Sequence, residues 1–311
     1  MEAMVFGAGF GTRLRPLTEV LPKPLVPVGN RPLVAYAIDH LGGAGVNRFV
    51  VNAHHLSAER ERAAEALTPQ GATLEVVVER KILGTGGGLK NGWRGRLTAQ
   101  EVLVQNGDIL FAPDLARLTA THRSTGAIAT MVLRSDPRAE AFGPIDVDMA
   151  QRRVTGILGA ADRSRGVAET FMFTGVHLFD ARAFDDLPED GCIIRHSYRR
   201  WLERGEFVAA VIDESPWLDL GTPQSYLEAN ISLATGARAQ LGVSRDPVRG
   251  IVHGSAVLGA GAHVTGSVIG QGAAVGDSIR VDRSVVWPNT VVTADLVQAI
   301  AWPGGVMQVA R

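Results

Sequence analysis

Residues 3–34 read AMVFGAGFGTRLRPLTEVLPKPLVPVGNRPLV, and this stretch decides what kind of molecule the chain makes. A short apolar run, Ala3 to Phe6, has the character of a buried strand and breaks directly into Gly7, Gly9 and Gly11. Glycines just after a strand let backbone N–H groups approach a phosphate, because no Cβ stands in the way. Arg13 and Lys23 add cationic side chains that such a turn lacks by itself. Pro16, Pro22, Pro24 and Pro27 exclude a helix interior or a central strand there, so the cations ride on a stiff, irregular loop. A glycine-rich turn is often only a tight turn, and GAGFG matches neither the P-loop nor the dinucleotide pattern. The residues taken together describe a polyphosphate cradle with two positive charges over it.

Working outward, strand and helix patterns alternate to about residue 130. Apolar runs at Arg48–Asn52, Thr73–Val78 and Glu101–Asn106 read as strands, and Pro32–Ala44, Ser57–Leu67 and Pro113–Ser124 as helices. That alternation predicts right-handed crossovers and a mostly parallel, Rossmann-like α/β sheet flanked by helices. Ligands then bind outside the carboxyl ends of the strands, where the glycine turn and Asn106-Gly107-Asp108 both fall. From 127 to 220 the pattern loosens into strands such as Ile128–Leu133 and Phe171–Phe179. A helix over Cys192–Glu203 carries an apolar core stripe, and Pro223–Leu233 reads as a last helix.

Beyond Gly236 helical periodicity stops. Val252, Leu258 and Val264 are spaced by six, as are Ile269, Val275 and Val281 after one five-residue step; Val286 and Val292 follow after another. Aliphatics at that period among small residues mark a hexapeptide β-helix. The expected domains are 1–236 and 237–311. The second holds only a few turns, so its exposed end suggests a homo-oligomer.

Hydrophobic residues make up 46% of the chain, charged residues 20%, and the formal net charge is −1, which suits a globular enzyme and argues against bulk binding to nucleic acid or anionic membrane. Cys192 is the sole cysteine, so no intrachain disulfide forms. The first apolar run is too short for a secretory signal and no stretch spans a bilayer. A reducing, cytoplasmic setting is the expectation.

The strings GFGTRLRPLT and PKPLVPV resemble the signature of the sugar-1-phosphate nucleotidylyltransferases. The resemblance runs through nearly the whole chain, with a tail like the left-handed β-helix of mannose-1-phosphate guanylyltransferases and ADP-glucose pyrophosphorylases. It implies that Arg13 and Lys23 are catalytic, and that Ala8, Gly9, Gly11 and Thr12 cradle the triphosphate. It implies that Glu79 reads the base, that Gly84 and Thr85 lie along the nucleoside, and that Gly143, Thr174 and Gly175 contact the sugar phosphate. Asp108 and Asp219 would hold Mg²⁺, the latter in Trp217-Leu218-Asp219-Leu220-Gly221-Thr222-Pro223. The implied reaction joins an NTP and a sugar 1-phosphate, with GTP and mannose 1-phosphate as the leading pair. UTP or dTTP with glucose, an N-acetylated sugar or a heptose is the alternative, as is a non-catalytic relative. The family's E-K-P lysine has no counterpart, so Arg163 or Arg165 substitutes or the phosphate is held otherwise. A hexapeptide acyltransferase using His253 or His263 is a third reading.

Overall fold

The computed structural model describes residues 1–54, 64–161, 169–237, 241 and 243–309. The expected helix at 57–67 and both Arg163 and Arg165 fall wholly or mainly outside them. The chain packs as two compact units: Met1–Gly9 with Ala37–Trp217, and Phe10–Tyr36 with Leu218–Arg311.

The first unit is built on one sheet of ten strands. Its parallel half is β1 (Glu2–Phe6), β2 (Arg48–Ala53), β3 (Thr73–Val78) and β4 (Glu101–Asn106), in the order β3-β2-β1-β4. In this half the alternation of strand and helix does produce parallel pairing. The helix α1 (Gly84–Trp93) packs on β1 and β2, and α2 (Leu115–Thr125) on β5 (Ala129–Arg134). The other half is mixed. A long strand, β6 (Glu169–Asp180), runs antiparallel to both β4 and β5, while β7 (Val208–Ile212) is parallel to β5. Strands β1 and β4 are buried at nearly every position because elements cover both faces, and their sequences are continuously apolar rather than alternating.

The stripe around Tyr198 and Trp201 is core, as its spacing suggests, though the segment enters as a π-turn (Ile194–Tyr198) before one helical turn, Arg199–Glu203. His177 is sealed into this core with Nδ1 2.7 Å from the Tyr198 hydroxyl. Burial pushes its pKa down to about 3, so the ring is neutral.

In the second unit, α3 (Pro223–Ala234) leads toward a coil of short strands. Thr222 caps it with a reciprocal Thr–Ser box, and Pro223 sits in the first turn where its missing N–H costs nothing. The coil has three parallel sheets whose first partners lie seventeen positions apart (Gly250 opposite Ser267, Val257 opposite Ala274, His263 opposite Arg280), shortening to fifteen at Val281 opposite Leu296 and Val285 opposite Ile300. Two six-residue steps and one five-residue step therefore make one turn in the first part of the coil. The recurring aliphatics stack inside: Val264, Ile269, Val275, Val281, Val286 and Val292 form one buried cluster. The last strand, β9 (Gly305–Gln308), turns back antiparallel on β8 (Ala299–Trp302).

The proline loop is fastened to this scaffold. Gly29 and Asn30 make a two-residue hairpin turn with positive φ at both positions. Gly29 N donates to Asn230 Oδ1 of α3 at 2.9 Å, and Asn30 Nδ2 to the Ile269 carbonyl of the coil at 2.8 Å. The Tyr226 hydroxyl donates to the Pro27 carbonyl and accepts from Trp287 Nε1 at 2.9 Å. Tyr226→Phe strands a partly buried carbonyl and a buried indole N–H. It should cost about 2 kcal/mol of stability, read from the midpoint of urea unfolding; an unchanged midpoint would contradict this brace.

Candidate active site

At the carboxyl edge of the parallel strands, Phe6 stands in register with Asn52 and with Asn106, so the segments after β1, β2 and β4 begin at one level. Gly107 N donates to the Phe6 carbonyl at 2.8 Å. Asp108 follows, half-buried, in the turn after β4. Asn52 is 2% exposed. Its Oδ1 accepts from Gly7 N at 2.9 Å and Ala8 N at 3.4 Å, and its Nδ2 donates to Glu79 Oε1 at 2.7 Å. Glu79, equally buried, takes Leu83 N on its second oxygen at 3.0 Å. Glu79 is thus an anchored carboxylate beneath the glycine-rich segment, not a side chain waving in solvent.

That segment explains its own glycines. Gly84 opens α1, and its backbone lies against residues 188–191. Gly86 N donates to the Gly191 carbonyl at 2.8 Å, and Ile193 N donates to Thr85 Oγ1 at 3.0 Å. A Cβ on Gly84 would stand 2.7 Å from the Gly191 oxygen, and one on Gly87 2.5 Å from the Glu189 oxygen. On Gly88 it would meet Asn52 and Glu79 at 2.8 Å. The run therefore threads a helix between two close surfaces, a demand that sequence alone does not distinguish from ligand contact.

Farther along the edge, Thr174 is buried and its hydroxyl donates to the Val132 carbonyl at 2.7 Å. Its own carbonyl accepts from Trp217 Nε1 at 2.9 Å. Gly175, at φ 88°, lies against the Asn106 side chain. The Arg138 guanidinium stacks 5.5 Å from the rings of both Phe142 and Trp217, which brings Phe142-Gly143 beside Thr174. Arg138 also grips Asp136 through two bonds, holding that carboxyl at about 2.

In the second unit the loop cations meet an acid. Gly11 is left-handed at φ 59°, and the next three residues form a tight turn that carries Arg13, two-thirds exposed. Lys23 sits in a second such turn and is only 7% exposed. Asp219 joins them: Oδ1 accepts from Lys23 Nζ at 3.1 Å and Oδ2 from Arg13 Nη2 at 3.2 Å. A Cβ on Gly221 would fall 2.7 Å from that Nη2, so the glycine of the W-x-D-x-G string admits the guanidinium. Arg13, Lys23 and Asp219, distant in sequence, thus form one cluster.

A nucleotidyl transferase family model matches residues 2–236. The chain belongs to the nucleotidyl transferase family. It is 29% identical over 303 residues to mannose-1-phosphate guanylyltransferase of Mycobacterium tuberculosis, covering 96% of this chain and 82% of that protein. It is 26% identical to D-glycero-alpha-D-manno-heptose 1-phosphate guanylyltransferase of Aneurinibacillus thermoaerophilus, over 75% of this chain and 98% of that one. A UDP-glucose pyrophosphorylase structure from Acinetobacter baumanii shares the fold, with TM-score 0.62 at 19% identity, covering 78% of this chain and 95% of that one. With these relatives, the chain is an enzyme of the sugar-1-phosphate nucleotidylyltransferase group.

Such nucleotidyl transferases work with a divalent metal ion. Among the described residues no three His, Cys, Asp or Glu side chains group to hold one. An ion here must complete its shell with substrate oxygens and water, which suits a hard cation on one or two carboxylates. Asp219 fits, since each oxygen keeps a lone pair beside its cation. Asn52 is a functional-looking residue that no motif singled out; its hint is an amide closing the apolar run RFVVN near a strand's carboxyl end.

Asp219→Ala leaves the Lys23 ammonium buried without this partner and should cost on the order of 3 kcal/mol. Lys23→Met, which removes the buried charge itself, should cost clearly less. Urea unfolding of the two variants measures the difference, and the reverse order would refute a buried ion pair.

Proposed function

We propose that the enzyme joins GTP and mannose 1-phosphate to give GDP-mannose and pyrophosphate. The observation that carries the reaction class is the Lys23–Asp219–Arg13 cluster on a stiff loop. A sugar-phosphate oxygen attacks the α-phosphorus in line; the bond from that phosphorus to the β-bridging oxygen breaks, and the leaving group departs as pyrophosphate. No proton need move and no enzyme bond forms, so the protein's work is positioning and neutralising charge. Arg13 takes the β- and γ-phosphates, Lys23 the α-phosphate, and the backbone of Ala8, Gly9, Gly11 and Thr12 the remaining oxygens. Mg²⁺, held by Asp108 and Asp219, supplies further charge neutralisation. Gly84 and Thr85 flank the nucleoside, and Gly143, Thr174 and Gly175 the sugar.

Guanine is favoured because both oxygens of this carboxyl group act as acceptors, and guanine offers adjacent N–H donors on one edge. Glu79 supplies that carboxylate, and both curated relatives described above are named as guanylyltransferases. The second of them supports a heptose with the manno configuration as the other sugar to try. A screen of NTPs against sugar 1-phosphates for pyrophosphate release should give its highest rate with GTP and a manno-configured sugar. Lys23→Ala and Arg13→Ala should each lower turnover more than tenfold with the fold intact, and Asp108→Asn should abolish metal-dependent turnover. Release with no pair would favour a non-catalytic role.

The coil is proposed to wind left-handed and to mediate self-association in a cytoplasmic enzyme. Val257 and Val291, 64% and 71% exposed, flank Ala274 in register on one sheet, an apolar row on the outer face. Val291→Lys should shift the mass measured by light scattering toward the monomer; an unchanged mass would remove this face from the interface.

A further inference from the structure

We infer that Asn52 is a positioning residue that ties base selection to the aim of the phosphate-binding turn. The inference rests on the reading of that turn and of Glu79 as nucleotide contacts, and adds a residue to which no motif assigns a role. Asn52 is buried, and its amide is used at both ends: the oxygen faces the N–H groups of Gly7 and Ala8, and the nitrogen faces Glu79. Flipping the amide would set donors against donors and oxygen against a carboxylate, so a single orientation is satisfied. The resulting chain runs from Leu83 N through Glu79 and Asn52 to Gly7 N, linking the end of β2 to the segments after β1 and β3. Gly88 permits it, since any side chain there would occupy the space of the Asn52–Glu79 contact.

Gly7 gives its amide to Asn52 at 2.9 Å and Ala8 leans on the same oxygen at 3.4 Å, so Asn52 sets the direction of the amides, from Ala8 onward, that receive phosphate. A base that pulls on Glu79 also pulls on Asn52. A base that Glu79 cannot satisfy leaves the turn misaimed, which converts a recognition error into slow chemistry. Selection then appears in kcat as well as in KM.

The test compares wild type, Asn52→Ala and the double variant Asn52→Asp/Glu79→Gln. The double variant exchanges donor and acceptor across the buried contact while keeping an oxygen toward Gly7 N and another toward Leu83 N. Inorganic tripolyphosphate, which has no base, is the probe for the turn, and the ratio of kcat/KM for GTP over UTP is the probe for selection. Asn52→Ala should weaken tripolyphosphate inhibition at least tenfold. The double variant should restore that inhibition to within threefold of wild type while its GTP-over-UTP ratio falls at least tenfold. A purely structural role would lower the melting temperature and leave both probes alone. Inhibition within twofold of wild type in a folded Asn52→Ala protein, or a folded double variant that fails to restore it, overturns the inference alone. A wild-type protein that neither turns over NTPs nor responds to tripolyphosphate overturns the proposed function and the inference with it.

Discussion

A buried ammonium cannot stand alone, and the second unit is arranged around that constraint. Lys23 is held by prolines in a position only 7% exposed, and Asp219, 196 residues away, supplies its counter-charge. Placing Asp219 there requires Gly221 to clear the Arg13 guanidinium, and Thr222 to start α3 immediately afterwards. The helix then carries Asn230 and Tyr226 to the other end of the same loop, where they hold Gly29 and Pro27. The Lys23–Asp219 ion pair and the hydrogen bonds at Gly29 and Pro27 thus hold both ends of a segment with almost no regular structure of its own. Stiffness of this kind suits phosphoryl chemistry, in which the protein contributes chiefly by holding charges still.

Much of this was legible in the residues. The apolar strands of the parallel half appear where the pattern puts them, and the evenly spaced aliphatics of the tail are buried together, because each is a local consequence of burial. The meeting of Arg13 and Lys23 with Asp219 followed from a resemblance carried by three separate strings, not from spacing. The antiparallel insertion of β6 between β4 and β5 was not legible, since strand direction is set by partners far along the chain. Nor was the role of Asn52: one amide at a strand end looks like any other until the segments after β1 and β3 are in place.

The glycines show where sequence reading has least purchase. Gly9 has nothing near a notional Cβ, so the backbone there is open to approach, while Gly11 takes a left-handed conformation with a Cβ's place filled by Thr18. Gly84, Gly86, Gly87 and Gly88 are crowded by protein on all the sides that matter. The same residue type therefore answers to two different pressures, vacancy at Gly9 and compression at Gly84 to Gly88. Both strings look alike on the page, and only the neighbours separate them.

Stacked parallel turns have no intrinsic stopping rule: a flat, hydrogen-bond-hungry face at the end of such a coil is a seed for end-to-end filaments. Here β9 doubles back on β8 with reversed polarity, and a strand running the wrong way is a poor template for another parallel turn. The hairpin behaves as a terminator on that sheet, steering any assembly of copies away from linear growth and toward contacts along the coil's flanks.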